Sequence, residues 1–241
     1  VAIGAGGYLG LTLLAASNDW RDPKFAAKQR ESDREAAHAM ALAAQGIPPE
    51  GASVMMSRDP LTRGRRLFAA QCKSCHAIGG GGPEKAPDLA GVLSKAWIAS
   101  VIHTPDAPHL YGNTKLKGLM DPYGNKLKAE EIAELASYVF ALREIAEAAA
   151  KAHPQGAELF DDAGCNNCHE LEAGVANDGP NFFRYGSDAW LTGVIESPGD
   201  KLNYGDVNDM PSMKGKLNAD EIAALVTYVR SLEREPAVAT R

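Results

Sequence analysis

Cys72-Lys73-Ser74-Cys75-His76 and Cys165-Asn166-Asn167-Cys168-His169 are two copies of one pattern, Cys-x-x-Cys-His. Cysteines at this spacing reach two vinyl groups of one macrocycle and form thioethers, and the adjoining histidine is held under the iron. The pattern is the attachment signature of a c-type haem. For a single pentapeptide a zinc site competes with that reading. Two pentapeptides use all four cysteines of the chain and leave none for disulfides or a reactive thiol. The expectation is two covalent haem c groups, with His76 and His169 as proximal iron ligands.

Working outward from the motifs, the chain repeats itself. At an offset of 93, Cys72/Cys165, His76/His169, Pro87/Pro180, Ser94/Ser187, Trp97/Trp190, Ile102/Ile195, Tyr111/Tyr204 and Gly112/Gly205 match. The offset then becomes 90, pairing Met120/Met210, Leu127/Leu217, Glu131/Glu221, Ile132/Ile222, Leu135/Leu225, Tyr138/Tyr228 and Leu142/Leu232. Matches this dense in two registers require two copies of one fold, over residues 61–148 and 149–236.

Each copy reads as helical. Short helices are expected over 63–71 and 155–163, carrying Leu67-Phe68 and Leu159-Phe160 inward. Middle helices follow over 97–103 and 190–196. In the last helix of each copy, Ile132, Leu135, Val139 and Leu142 recur at helical spacing, as do Ile222, Leu225, Val229 and Leu232. Asn218 with Glu221 three residues on predicts a capping box. The connections are rich in Gly and Pro.

An iron held by one histidine needs a sixth ligand for outer-sphere electron transfer, and a methionine thioether raises the reduction potential. Met120 and Met210 each stand seven positions before the leucine that opens the last helix, and this matched spacing nominates both as metal ligands. Met213 is the rival in the second copy, and His103 and His109 are rivals in the first. Pro87 and Pro180 each fall eleven positions after a haem histidine, where a carbonyl can accept from the imidazole Nδ1. A plain turn proline is the competing role. Trp97, Trp190, Tyr111 and Tyr204 are expected to pack around the cofactors or donate to propionates, with simple core packing as the alternative.

The net charge of −6 argues against nucleic acid and suits a basic docking partner as well as it suits solubility alone. Residues 1–18 carry no charge, Asp19 is the first, and Trp20 stands where an interfacial aromatic would sit. A transmembrane anchor over 1–20, continued beyond Val1, is the expectation, against a cleaved signal or a buried helix weakened by its glycines. Residues 24–45 favour a polar helix, ended by Gly46 and Pro48-Pro49. Residues 21–60 are read as stalk and tether, or else as a helix packed on the first copy.

From residue 61 to 235 the sequence resembles class I cytochromes c. A Gly- and Phe-bearing helix precedes Cys-x-x-Cys-His, then come Ala-Pro or Gly-Pro, a Trp-headed helix, a Met loop and a last helix ending near Tyr. Met120 departs from the pattern, with Asp121 before Pro122. The resemblance implies an all-α fold of two tandem cytochrome c domains. The 46–51 tether, the Asp59-Pro60 entry and the Tyr204–Pro211 loop further resemble the cytochrome c subunit of bacterial bc-type (quinol:cytochrome c oxidoreductase) complexes. That implies an electron-transfer subunit rather than an enzyme in itself, on the outer face of a bacterial cytoplasmic membrane. Its partners would be a cytochrome b-type membrane subunit and a Rieske iron–sulfur protein, with a soluble cytochrome or terminal oxidase as acceptor. A dihaem subunit of a cbb3-type oxidase is the second reading; a dihaem peroxidase or dehydrogenase subunit is the third.

Overall fold

A computed structural model describes residues 2–80, 82–234 and 236–237. The lead consists of α1 (Ala2–Arg21), α2 (Pro23–Ala44) and α3 (Ala52–Arg58). The first copy holds α4 (Pro60–Gln71), α5 (Lys95–His103) and α6 (Ala129–Ala141). After α7 (Ala146–Ala152) come their counterparts α8 (Pro154–Asp162), α9 (Asp188–Glu196) and α10 (Ala219–Leu232). The all-α expectation holds for the described residues. Helices α3 and α7 fall where only connections were foreseen.

A transmembrane span over residues 1–20 is not supported among the described residues. Residues 2–21 are helical, but no helix among the described residues is long and apolar enough to cross a membrane. Gly6, Gly7, Gly10, Thr12, Ser17 and Asn18 dilute the leucines, and Asp19 and Arg21 close the helix with charge. Leu11, Leu13 and Trp20 lie exposed along α1.

Helix α2 is docked on the first copy through charge. Glu35 pairs with Arg65, Glu31 lies 3.8 Å from Lys73, and His38 Nε2 is 2.8 Å from Asp59 Oδ2. Gly46 ends α2 at a φ of 116°, a conformation that suits a residue without Cβ. Asp59 also accepts the Thr62 amide at 2.7 Å and so caps α4, with Pro60 in the first turn. Burial works to raise the Asp59 carboxyl, but hydrogen bonds from His38 and Thr62 bring it below its usual value.

Ser94 and Ser187 cap α5 and α9 by accepting the Trp97 and Trp190 amides at 3.2 Å. Asn218 and Glu221 close the foreseen capping box on α10.

The core crosses between the copies. Helix α4 packs on α10 and α8 packs on α6, so each copy's first helix meets the other copy's last. Phe68 lies 5.3 Å from Tyr228 between ring centroids, and its counterpart Phe160 lies 5.6 Å from Tyr138. The crossings are close because a glycine sits at each. A Cβ on Gly64 would overlap the Ala224 carbonyl, and one on Gly156 would come within 2.6 Å of the Glu134 carbonyl oxygen.

Equivalent positions of the two copies also meet one another. The Tyr111 and Tyr204 hydroxyls are 3.2 Å apart, Arg143 Nη1 donates to Glu233 Oε1 at 2.9 Å, and Leu93 rests against Gly186. A position can touch its own counterpart only beside a two-fold axis, so the copies are related as in an isologous dimer. One apolar core, including Phe68, Leu135, Phe160 and Leu225, runs through both.

Candidate haem sites

At the end of α4 the chain coils tightly, with the Cys75 and His76 amides donating to the Cys72 carbonyl at 3.0 and 2.9 Å. The His169 amide does the same to Cys165 at 2.9 Å. In the first motif this turn brings both cysteines and the histidine to one cavity. All four thiols are free. Burial pushes the Cys72 and Cys165 thiols up to about 11. Among the described residues, no cluster of three or more His, Cys, Asp or Glu could hold a metal ion. The zinc alternative therefore has no ligand set.

Each haem histidine is fixed by the proline eleven positions on. His76 Nδ1 lies 2.8 Å from the Pro87 carbonyl oxygen, and His169 Nδ1 lies 2.9 Å from that of Pro180. With Nδ1–H donating to the carbonyl, Nε2 is left free for a metal. Burial lowers both imidazoles below their usual value, while the carbonyl bond pulls the other way. Both rings are thus kept neutral, as iron ligation requires.

One residue further on lies a pair that sequence reasoning missed. Asp88 and Asn181 are equivalent, and both are buried. Asp88 accepts the amides of Gly79, Gly80 and Ala90 at 2.7–2.8 Å. Asn181 donates to the Glu172 and Val175 carbonyls and accepts the Phe183 amide. Their backbone carbonyls take the indole N–H of Trp97 at 3.3 Å and of Trp190 at 3.0 Å. A short polar residue after proline is a weak signal, and only the fold shows that it folds the loop around each haem histidine.

A cavity of about 240 Å³ opens beside the first motif. Cys72, Cys75 and His76 line it, and so do Met210 and Met213 of the second copy. Trp97, Trp190, Tyr111 and Tyr204 line it as well, their polar atoms already partnered within the protein. Asn208 stands at the wall with a buried Oδ1 that has no partner. An apolar chamber holding two thiols, a metal-ready imidazole, thioether sulfurs and one unpaired polar atom fits a covalently bound haem.

At the second motif, His169 stacks on Phe182 with ring centroids 4.1 Å apart. Tyr123, three positions after Met120, donates its hydroxyl to the Ala163 carbonyl at 2.9 Å. Burial raises the Tyr123 hydroxyl above its usual value, and the neighbouring Cys165 and Cys168 push it further. Met120 is half-buried. His103 is exposed and bonded to Thr104, and His109 holds a buried Nε2 without a partner.

Comparison with known proteins agrees with this geometry. Residues 61–143 match the family model described as cytochrome c. Residues 151–229 match that of cytochrome c oxidase, cbb3-type, subunit III. Among curated relatives, the cbb3-type cytochrome c oxidase subunit FixP of Azorhizobium caulinodans is 30% identical over 184 residues, 70% of this chain and 58% of the relative. FixP of Bradyrhizobium diazoefficiens is 28% identical over 181 residues, 70% of this chain and 60% of the relative. Cytochrome c4 of Stutzerimonas stutzeri is 29% identical over 185 residues, 68% of this chain and 85% of the relative. The chain thus spans about 60% of the length of the FixP relatives. No solved structure matches the chain significantly.

The two copies are cytochrome c domains, and two covalent haem c groups are their cofactors. The bc-type assignment, with cytochrome b and Rieske partners, is overturned: the second copy matches a cbb3-type subunit, and relatives are named as cbb3-type oxidase subunits. The features behind that assignment serve the fold instead. Asp59-Pro60 is a helix start, and the Tyr204–Pro211 loop reaches the interface between copies and the wall of the cavity.

Proposed function

We propose, from two cytochrome c domains with two covalent haems, that this chain is an electron-transfer subunit of a cbb3-type oxidase. Its partners would be the oxidase catalytic subunits. The sequence units are 61–148 and 149–236, behind a helical lead. Cys72, Cys75, His76 and Cys165, Cys168, His169 would hold the two groups, with Met120 and Met210 as their further iron ligands. When bound, the haems supply one-electron chemistry.

The protein's own part is to hold and insulate. Pro87 and Pro180 fix the imidazoles; Trp97, Trp190, Tyr111 and Tyr204 keep water from the apolar chamber. Haem attachment of this kind places the domains on the outer face of the bacterial cytoplasmic membrane.

The match of the second copy to cbb3-type subunit III is the observation that carries this reading. Purification of the tagged chain from its own membranes tests it. A haem–copper catalytic subunit should come with the chain. Recovery of a cytochrome b and a Rieske protein instead would reject the proposal.

A further inference from the structure

The sequence invites each histidine to be paired with the methionine downstream in its own copy, His76 with Met120 and His169 with Met210. The packing does not follow that order. The cavity that holds Cys72, Cys75 and His76 is walled by Met210 and Met213, from the second copy. On the other side of the two-fold axis, the loop bearing Met120 reaches the second motif, where Tyr123 bonds Ala163 beside Cys165. Tyr123 is the counterpart of Met213 in the repeat, so the two placements are one arrangement seen twice.

We propose that the axial pairs are crossed: His76 is matched with Met210 across one iron, and His169 with Met120 across the other. The proposal rests on the methionine ligation given above. Helix packing supports it independently. The α4 and α8 helices, which deliver the motifs, are each clamped by the other copy's last helix, α10 and α6. A motif-bearing half and a methionine-bearing half have been exchanged between copies, as in a swapped dimer whose protomers are joined in one chain. Neither copy then completes a haem site alone.

The test uses holoprotein carrying Cys165→Ser and Cys168→Ser, so that only the Cys72/Cys75 haem is covalently held. Its ferric spectrum is read for the far-red charge-transfer band of methionine sulfur on iron. Met210→Ala should abolish the band and Met120→Ala should retain it. The reverse overturns the crossed pairing and leaves methionine ligation standing. A band absent from the parent, or surviving both substitutions, overturns ligation and the pairing with it.

A second measurement needs no variant. In the ferrous two-haem protein, the Met210 methyl should show nuclear Overhauser contacts to the thioether bridges of Cys72 and Cys75. Contacts of the Met120 methyl to those same bridges would refute the crossing.

Discussion

Asp88 and Asn181 occupy equivalent places beside the two haem histidines, yet one is an acid and the other an amide. The Asp88 carboxylate is buried and accepts three amides, including that of Gly80 on its second oxygen. Asp88→Asn would keep at most one acceptor oxygen and leave the Gly80 amide without its partner. It should cost about 1–3 kcal/mol in denaturant unfolding. The same change removes a negative charge that favours oxidised iron near His76. Redox titration of the variant should therefore show one midpoint raised and the other unmoved.

Among the helices, the decisive contacts are the two glycine crossings. Gly64 brings α4 against the Ala224 carbonyl, a backbone group that cannot move aside as a flexible side chain can. Gly64→Ala should force α4 and α10 apart and cost about 3 kcal/mol, read as a lowered denaturation midpoint. The helices themselves were legible in the sequence: Ile132, Leu135, Val139 and Leu142 marked the face of α6, and Asn218 marked the start of α10. Their partners were not legible, because both copies carry the same apolar face. Either last helix satisfies either first helix, so periodicity cannot say which pair forms. The anchor reading goes unsupported among the described residues for a different reason. A charge-free stretch looked like a span, but glycine, serine and asparagine make it too polar.

At the scale of the molecule, the contact between copies runs through tyrosines. The Tyr111 and Tyr204 hydroxyls bond each other in a partly buried setting between the copies. Tyr111→Phe should cost about 1–3 kcal/mol because it strands the other hydroxyl; the double Phe variant should cost less than the two single changes summed. Burial raises Tyr111, Tyr204 and Tyr185 above the usual phenol value and pushes Tyr228 up to about 12. Above pH of about 10 the unfolded chain releases these protons while the folded chain still holds them, Tyr228 up to about 12. Stability is therefore whole below pH 10 and falls as pH rises. Tyrosinate absorbance from these residues should appear together with unfolding, and its appearance at pH 10 in the folded protein would contradict their burial.

With the proposed methionine ligands, the matched motifs and supporting prolines would make two closed, six-coordinate sites suited to passing electrons. The ferric holoprotein's electron paramagnetic resonance spectrum tests that description most directly. It should contain only low-spin haem, unchanged by added cyanide. A high-spin signal, or cyanide bound at either iron in the protein as isolated, would contradict it and point to an open site for substrate.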